Sequence, residues 1–542
     1  MSRLSNTEEK ITFRSYSFVR SKLLNREEIA FIDVREEAKH AEGHPLFAAN
    51  IPFSRIELEA YTKLPRLTVP IVLIDNEEGI TKITAIKLQK MGFVDVAIFS
   101  GGIKNWKANG GELFIDVNVP SKAFGELVEH KCHTPSLSAQ EVQKIINSDK
   151  ENVVILDVRR FDEYKTMSIP TAISVPGAEL VLHISDIAPN PNTKIIINCA
   201  GRTRGLLGTQ ALINAGLPND IAALRNGTIG WTLAEQVLDT GQSRSFPKIS
   251  DTAAELAKNR TLQVANKAGV KRASINDVND WRGQISRTTY FFDVRTQEEY
   301  KNGHLPGFFW IEGGQLIQET EMYVPVRGAR IVLSDDDGAR ANMTASWLAQ
   351  MAWDVYVLDN IAIDQFTETG LWNAKLPNFP DNQKIDIADI QQWKKDESSF
   401  VILDFSRYKN YIQVHIPGAY FVLRSQLKNA LMNIPKADRY ILTDEYGIIV
   451  EYIAPELKKI IKKEVYVLNG GNQNWKTHGL EIEIGESLLA SPPIDRYKRP
   501  YEETAISASK MQAYLDWEFG LVAQLEKDGT HHFTPRNLND FE

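Results

Sequence analysis

Residues 152–176 read NVVILDVRRFDEYKTMSIPTAISVP, and the pattern of this stretch occurs four times in the 542-residue chain. Each copy is an apolar, β-rich run that ends in Asp and is followed by a polar segment with helical character. Internal similarity on this scale predicts a chain built from several like domains, which its length also favours. The other copies are EIAFIDVREEAKHAEGH (28–44), TTYFFDVRTQEEYKNGHLPG (288–307) and SFVILDFSRYKNYIQVHIPGA (399–419).

A second apolar strand follows each copy at a nearly constant distance. It ends at residues 75, 199 and 335, each 42 residues after the Asp of its copy, and at residue 444, 40 residues after the last one. A helical stretch and a glycine-rich segment ending in Trp come next, except that the third copy has LDNIAIDQF instead. Alternating strands and helices predict an α/β fold of small parallel sheets with helices on both faces.

The spacing of the copies predicts four tandem domains and a C-terminal tail. Segments with proline or mixed charge separate the copies and are expected to be linkers: NVPSKAFGELVEHKCHTPS, SRSFPKISDTAAELAKNR and LPNFPDNQK. An amphipathic helix is expected in the tail from about residue 505. The predicted domains are residues 1–118, 119–245, 246–376 and 377–486, and the tail is residues 487–542.

These motifs resemble those of the rhodanese superfamily of sulfurtransferases: LDVR with a following Glu and aromatic residue, an IPGA-like turn, a strand ending in Cys, and G-x-x-x-W. The closest resemblance is to bacterial proteins with several tandem rhodanese-like domains. It implies that an active domain carries its cysteine at the start of a loop between strand and helix. Only Cys199 in the second domain matches, so the resemblance implies one active domain and three inactive ones. Asp75, Asp335 and Asp444 occupy the matching positions elsewhere.

The loop CAGRTRG, residues 199–205, has the composition expected around a reactive thiolate. An ordinary cysteine, with a pKa of about 8.5, is mostly protonated at neutral pH. N–H groups at the start of a helix and the charges of Arg202 and Arg204 favour an anion, so we expect both effects to lower the thiol pKa. Gly201 and Gly205 let the backbone curl closely around the sulfur. A buried, inert thiol is the other interpretation, but it does not require two arginines and glycines nearby.

The predicted reaction is a double displacement through a persulfide on Cys199, the catalytic residue. An anionic sulfane donor such as thiosulfate supplies the sulfur, and cyanide or a thiol accepts it. The Asp157–Arg159 pair and Trp231 recur in domains that lack the cysteine, so we assign them supporting roles. The predicted substrate-binding residues are Ala200, Gly201, Arg202, Thr203, Arg204 and Gly205.

Composition narrows the class of protein further. A net charge of −8 and a pI near 5.8 argue against a nucleic-acid binder. With only Cys132 and Cys199, neither a disulfide framework nor a zinc site is expected, and the prediction is a cytoplasmic protein without a metal or cofactor. No membrane segment is predicted at the N-terminus. We expect a monomer or a simple homodimer.

Two other functions stay open at this point. A Cys-dependent phosphatase or arsenate reductase also uses a loop cysteine and an arginine, but its signature places Arg six positions after Cys, where this chain has Gly205. A non-catalytic rhodanese scaffold or sulfur-carrier binding module is the second alternative, because three of the four domains lack the cysteine.

Overall fold

A computed structural model describes residues 11–148, 152–499 and 507–539, and in these residues the chain forms four sheets with one common topology. With the strands of a domain numbered along the chain, the spatial order is 1-5-4-2-3 in every sheet. The paired strands within each domain are parallel. The inner strand Ile29–Asp33 is buried along its whole length, as expected for a sheet with both faces covered. The predicted α/β class and the four small sheets are confirmed.

Strands of a single domain form the body of each sheet. The first sheet contains Thr12–Arg14, Ile29–Asp33, Ala49–Asn50, Ile71–Ile74 and Val96–Phe99. The second contains Ser136–Leu137, Val153–Asp157, Ile173–Ser174, Lys194–Asn198 and Ile221–Leu224. The third contains Lys271–Ala273, Thr289–Asp293, Phe309–Trp310, Arg330–Ser334 and Asp354–Leu358. The fourth contains Gln383–Ile385, Phe400–Asp404, Tyr420–Phe421, Arg439–Thr443, Glu464–Leu468 and an added edge strand, Leu488–Leu489.

Helices connect the strands in each domain. Those of the first domain are Tyr16–Leu24, Glu37–Ala41, Ile56–Lys63, Ile80–Lys90 and Gly102–Ala108. Those of the second are Ala139–Ile146, Phe161–Thr166, Glu179–Ile187, Thr203–Asn214 and Gly227–Leu233. Those of the third are Ile275–Arg282, Gln297–Asn302, Gly313–Gln318, Thr320–Tyr323 and Arg340–Gln350. Those of the fourth are Ile387–Lys395, Tyr408–Tyr411, Leu427–Ala430, Ile449–Ile461 and Gly471–Thr477. Short 3₁₀ helices span Phe53–Arg55, Ile363–Gln365 and Arg424–Gln426.

Two segments expected to be linkers contain helices. Val119–Cys132, which we call the linker helix, is buried from Val119 to Val128 and packs against the second domain's helix Thr203–Asn214. The segment before the third domain contains the helix Asp251–Ala268, which packs against helices of the second and third domains. Proline and mixed charge were misleading in the first case, because Pro120 lies in the first turn of a helix, where its missing N–H costs nothing.

The domains are joined in two different ways. A continuous apolar core runs through the first three domains and includes Leu521 and Leu525 of the tail. A short strand of the third domain, Val326–Arg327, even joins the first sheet, in antiparallel orientation. The fourth domain has apolar clusters of its own, and it meets the first domain through the buried pair of Arg424 and Glu57 at 2.6 and 2.8 Å.

The tail is helical, as predicted. It forms Ala508–Phe519, which we call the tail helix, and Leu521–Asp528. The predicted start near residue 505 lies outside the described residues. No helix within the described part of the chain combines the length and apolar character needed to cross a membrane.

Candidate active site

Cys199 lies at the carboxyl end of the strand Lys194–Asn198, directly before the loop that leads into the helix Thr203–Asn214. The apolar run before it forms the strand, and the residue itself is only 2% exposed. The N–H of Gly205 lies beside the sulfur and acts to lower the pKa of the thiol. A Cβ atom at Gly205 would lie 3.4 Å from Sγ, so glycine lets the first turn of the helix approach the thiol closely.

The same loop in the other three domains holds a carboxylate. In each of these domains the backbone N–H group six residues after the aspartate donates to its side chain. The donors are Thr81, Ala341 and Val450, at 3.2, 2.8 and 3.1 Å. Gly205 has the equivalent position in the second domain. The loop fold therefore presents an N–H group to the side chain at this position in all four domains, as helix N-termini do. The carboxylates are those of Asp75, Asp335 and Asp444, at the positions that match Cys199.

Asp157 and Arg159 form a buried brace beside the loop. Arg159 donates from Nε to Oδ1 of Asp157 at 2.9 Å and from Nη2 to Oδ2 at 2.7 Å. Asn198, the residue before the cysteine, donates from Nδ2 to Oδ2 of Asp157 at 3.0 Å. The brace thus fixes the end of the strand that carries the thiol. The same pair recurs as Asp33 with Arg35 in the first domain, which supports a structural role.

Arg202 faces the linker helix. Its Nε and Nη2 donate to the two carboxylate oxygens of Glu126 at 2.7 and 2.9 Å, and it also pairs with Glu129. The guanidinium stacks on the ring of Phe519 at 4.2 Å and is almost fully buried. Its charge is therefore matched by carboxylates inside the protein. Its role in binding substrate stays a prediction, and its contacts are those of a clamp between the loop and the linker helix.

Arg204 lies on the more open side of the loop. Its Nη1 and Nη2 each donate to a carboxylate oxygen of Glu163 at 2.8 Å. It lines a cavity of about 220 Å³ that also contains the cationic residues Arg160, Lys409 and Arg499. Of the two arginines in the loop, Arg204 is thus the one that borders a space of ligand size.

The pKa of Cys199 differs in direction from the expectation. Burial raises the pKa of the thiol above its usual value, whereas the charge of Arg204 and the N–H of Gly205 act in the opposite direction. Asp157 and Glu518 also raise it. The expectation of a lowered pKa was wrong for this arrangement, because the sequence could not indicate how completely the sulfur is removed from water.

Comparison with known proteins agrees with this architecture. A family model described as Rhodanese-like domain matches residues 20–109, 138–234, 275–360 and 386–478. The chain belongs to the rhodanese family. The four matches lie inside the predicted domains, whose outer boundaries stay a prediction.

Solved structures similar to this rhodanese chain differ greatly in how well they superpose. The crystal structure of thiosulfate sulfurtransferase from Pseudomonas aeruginosa is 53% identical, has a TM-score of 0.95, and matches over 97% of this chain and 100% of that one. The anaerobic ergothioneine biosynthesis enzyme from Chlorobium limicola is 15% identical with a TM-score of 0.22, over 65% and 96% of the two chains, which is too distant to support an argument. No curated protein gives a significant match.

Three parts of the chain surround the rhodanese loop, residues 199–205. The linker helix approaches so closely that a Cβ atom at Gly125 would lie 2.9 Å from Cγ2 of Thr203. The tail helix covers Gly201, where a Cβ atom would lie 3.4 Å from both Tyr514 and Glu518. The third domain borders Thr203 and Arg204 across a small cavity of about 50 Å³, with Gly314, Thr344 and Trp347. Sequence reasoning missed these contacts, since no motif marks them.

The structure also shows the contacts of the other predicted site residues, Ala200, Trp231 and Thr203. The Ala200 carbonyl accepts from the Ile229 N–H at 3.0 Å, which ties the loop to the segment that ends in Trp231. Trp231 is fully buried and donates from Nε1 to the Val237 carbonyl at 2.9 Å. Thr203 Oγ1 is buried and has no hydrogen-bond partner in the described structure. No cluster of three or more His, Cys, Asp or Glu side chains among the described residues is arranged to hold a metal.

Proposed function

We propose that this rhodanese is a sulfurtransferase that moves a sulfane sulfur from an anionic donor such as thiosulfate to cyanide or a thiol, through a persulfide on Cys199. The observation that carries the proposal is the set of backbone N–H donors that the four loops share. In three domains these donors bind an aspartate side chain, and the second domain places a thiol there, with the Gly205 N–H beside the sulfur. The resemblance to a thiosulfate sulfurtransferase over the whole chain supports the same reaction.

The reaction balances without a cofactor. The Cys199 thiolate attacks the outer sulfur of thiosulfate, an S–S bond forms to Sγ, and the donor's own S–S bond breaks with its electron pair leaving on sulfite. Cyanide or a thiolate then attacks the outer persulfide sulfur and releases the Cys199 thiolate. N–H groups of residues 200–205 stabilise the persulfide anion, as an oxyanion hole stabilises developing charge.

Arg204 is proposed to attract the donor and to favour the thiolate. It borders the cavity of about 220 Å³, and its charge opposes the rise in the pKa of Cys199 caused by burial. Cys199 itself is 2% exposed, and we place the entry of the donor on this side because Arg204 borders the cavity. Arg202, which is held by Glu126, is proposed to shape the loop.

We expect Arg204→Gln to lower kcat/KM for thiosulfate by about 10- to 100-fold, because a fixed charge near a developing anion is lost. Steady-state assays of thiocyanate formation measure this. Lys165→Gln, at an exposed lysine of the same domain, is the matched control and should stay within about twofold of wild type. Equal rates for the Arg204→Gln variant and wild type would contradict the role of Arg204.

The activity itself is tested with purified protein, thiosulfate and cyanide. We expect thiocyanate and sulfite in equal amounts and no hydrolysis of a phenyl phosphate. Phosphate release without thiocyanate would favour the phosphatase alternative, and neither product would favour the scaffold. A monomer or simple homodimer, a cytoplasmic location and the absence of a nucleic-acid partner stay predictions.

A further inference from the structure

Glu518 of the tail helix is a buried acid that faces the loop of Cys199. Its side chain is 1% exposed. Oε1 accepts a hydrogen bond from the Tyr514 hydroxyl at 2.8 Å. Oε2 has no hydrogen-bond partner among the described residues, and it lies 3.4 Å from the position of a Cβ atom on Gly201. A buried polar atom without a partner is costly, so its position beside a loop built to hold an anion needs a reason.

The surroundings of Glu518 favour the protonated, neutral acid at neutral pH. Burial, followed by the carboxylate of Glu126, raises its pKa to about 8, although Lys122, the Tyr514 hydroxyl and Arg202 act in the opposite direction. Because Tyr514 donates to Oε1, the proton of the neutral acid belongs on Oε2. The loop is thus faced by an O–H donor for which the described part of the protein supplies no acceptor.

We propose that Glu518 is an ionisable anion-binding residue of the rhodanese loop, whose Oε2–H donates a hydrogen bond to the anion that the loop holds, either the donor's sulfonate oxygen or the Cys199 persulfide. This inference rests on the proposed function. Glu518 keeps its proton throughout, so it adds no proton or electron to the balance of the sulfur transfer. The buried hydroxyl of Thr203, at the start of the loop's helix, also has no hydrogen-bond partner in the described structure.

The charge of Glu518 decides whether the anion is attracted or repelled. Below the raised pKa the neutral acid donates a hydrogen bond. As the pH rises through about 8 the carboxylate forms, the donor is lost, and a negative charge faces both thiosulfate and the Cys199 thiolate. The titratable and charged groups around it are Tyr514 on its own helix, Lys122 and Glu126 on the linker helix, and Cys199 and Arg202 on the loop. We therefore expect ionisation of Glu518 above about pH 8 to oppose the gain in rate that ionisation of the Cys199 thiol gives.

The test measures persulfide formation in a single turnover at subsaturating thiosulfate between about pH 6 and 9.5, with the full-length protein. The wild-type rate should stop rising above about pH 8, because loss of the Glu518 donor offsets further ionisation of Cys199. Glu518→Gln keeps an N–H donor and cannot ionise, so its rate should continue to rise, and at about pH 9 it should exceed wild type by about tenfold. Glu518→Asp should restore the wild-type plateau. Asp516→Asn, on the exposed side of the same helix, is the matched control and should have the wild-type profile.

The negative results of this experiment contradict different claims. A wild-type protein that forms no persulfide at any pH contradicts the proposed function and the role of Glu518 together. A wild-type protein that forms persulfide at a rate that keeps rising above about pH 8 overturns the role of Glu518 alone, even if Glu518→Gln fails to fold. Identical profiles for wild type and Glu518→Gln also overturn it.

Discussion

Replacing Cys199 with Ser should reduce thiocyanate formation from thiosulfate and cyanide by about 10⁴-fold or more, because a serine hydroxyl cannot carry the transferred sulfur. The substitution is small, and the serine hydroxyl fits the same space, so the fold should persist. The rate is measured by steady-state assay and the fold by circular dichroism and thermal unfolding.

Cys132→Ser is the matched control for this experiment. Cys132 is the last residue of the linker helix, outside the loop that holds the sulfur, and its loss should leave the rate within about twofold of wild type. A Cys199→Ser variant that retains wild-type activity would mean that the sulfur is carried elsewhere or transferred directly, and the persulfide mechanism would be wrong.

Replacing Arg202 with Met should destabilise the protein by about 3–5 kcal/mol near pH 8, since it leaves the carboxylate of Glu126 buried without its partner. Burial raises the pKa of Glu126 even with Arg202 present. Without the arginine the pKa of Glu126 should rise further. The loss of stability is therefore largest at high pH and becomes smaller as the pH falls and Glu126 takes up a proton. Thermal unfolding followed across a pH series measures this dependence.

The double variant Arg202→Met, Glu126→Gln separates the contribution of the ion pair to stability from the contribution of packing. Removing both charges should recover much of the lost stability, because no unpaired charge stays buried. Arg204→Met should cost less than Arg202→Met, since Arg204 and Glu163 form a more exposed pair. A destabilisation by Arg202→Met that is small and independent of pH would contradict the clamp between the loop and the linker helix.

The repeated architecture was accessible from the sequence because each domain carries the same local signals. An apolar run ending in Asp and a second strand 40 or 42 residues later occur in all four domains, and a buried Trp that ends the glycine-rich segment occurs in all but the third. Packing preserves these short-range patterns. Spacing alone showed which residues of the other domains match Cys199, namely Asp75, Asp335 and Asp444. The structure adds the reason for it, which is that a backbone N–H group six residues after each aspartate donates to its side chain.

The contacts between domains were not accessible from the sequence. Arg202 and Arg204 are two residues apart, and nothing in the pattern shows that one is committed to Glu126 and the other borders a cavity. The tail helix reaches Gly201 of the loop from the far end of the chain, so its contact with the loop and the effect of Glu518 on the pKa of Cys199 had no local signal. Long-range packing decided each of these features.

The most direct test of sulfur transfer through Cys199 is mass spectrometry of the native protein after incubation with thiosulfate. We predict a gain of one sulfur atom, located by peptide mapping on Cys199 and not on Cys132, and its loss when cyanide is added. A protein whose mass stays unchanged under conditions in which it still produces thiocyanate, or a sulfur located on Cys132, would contradict the persulfide mechanism.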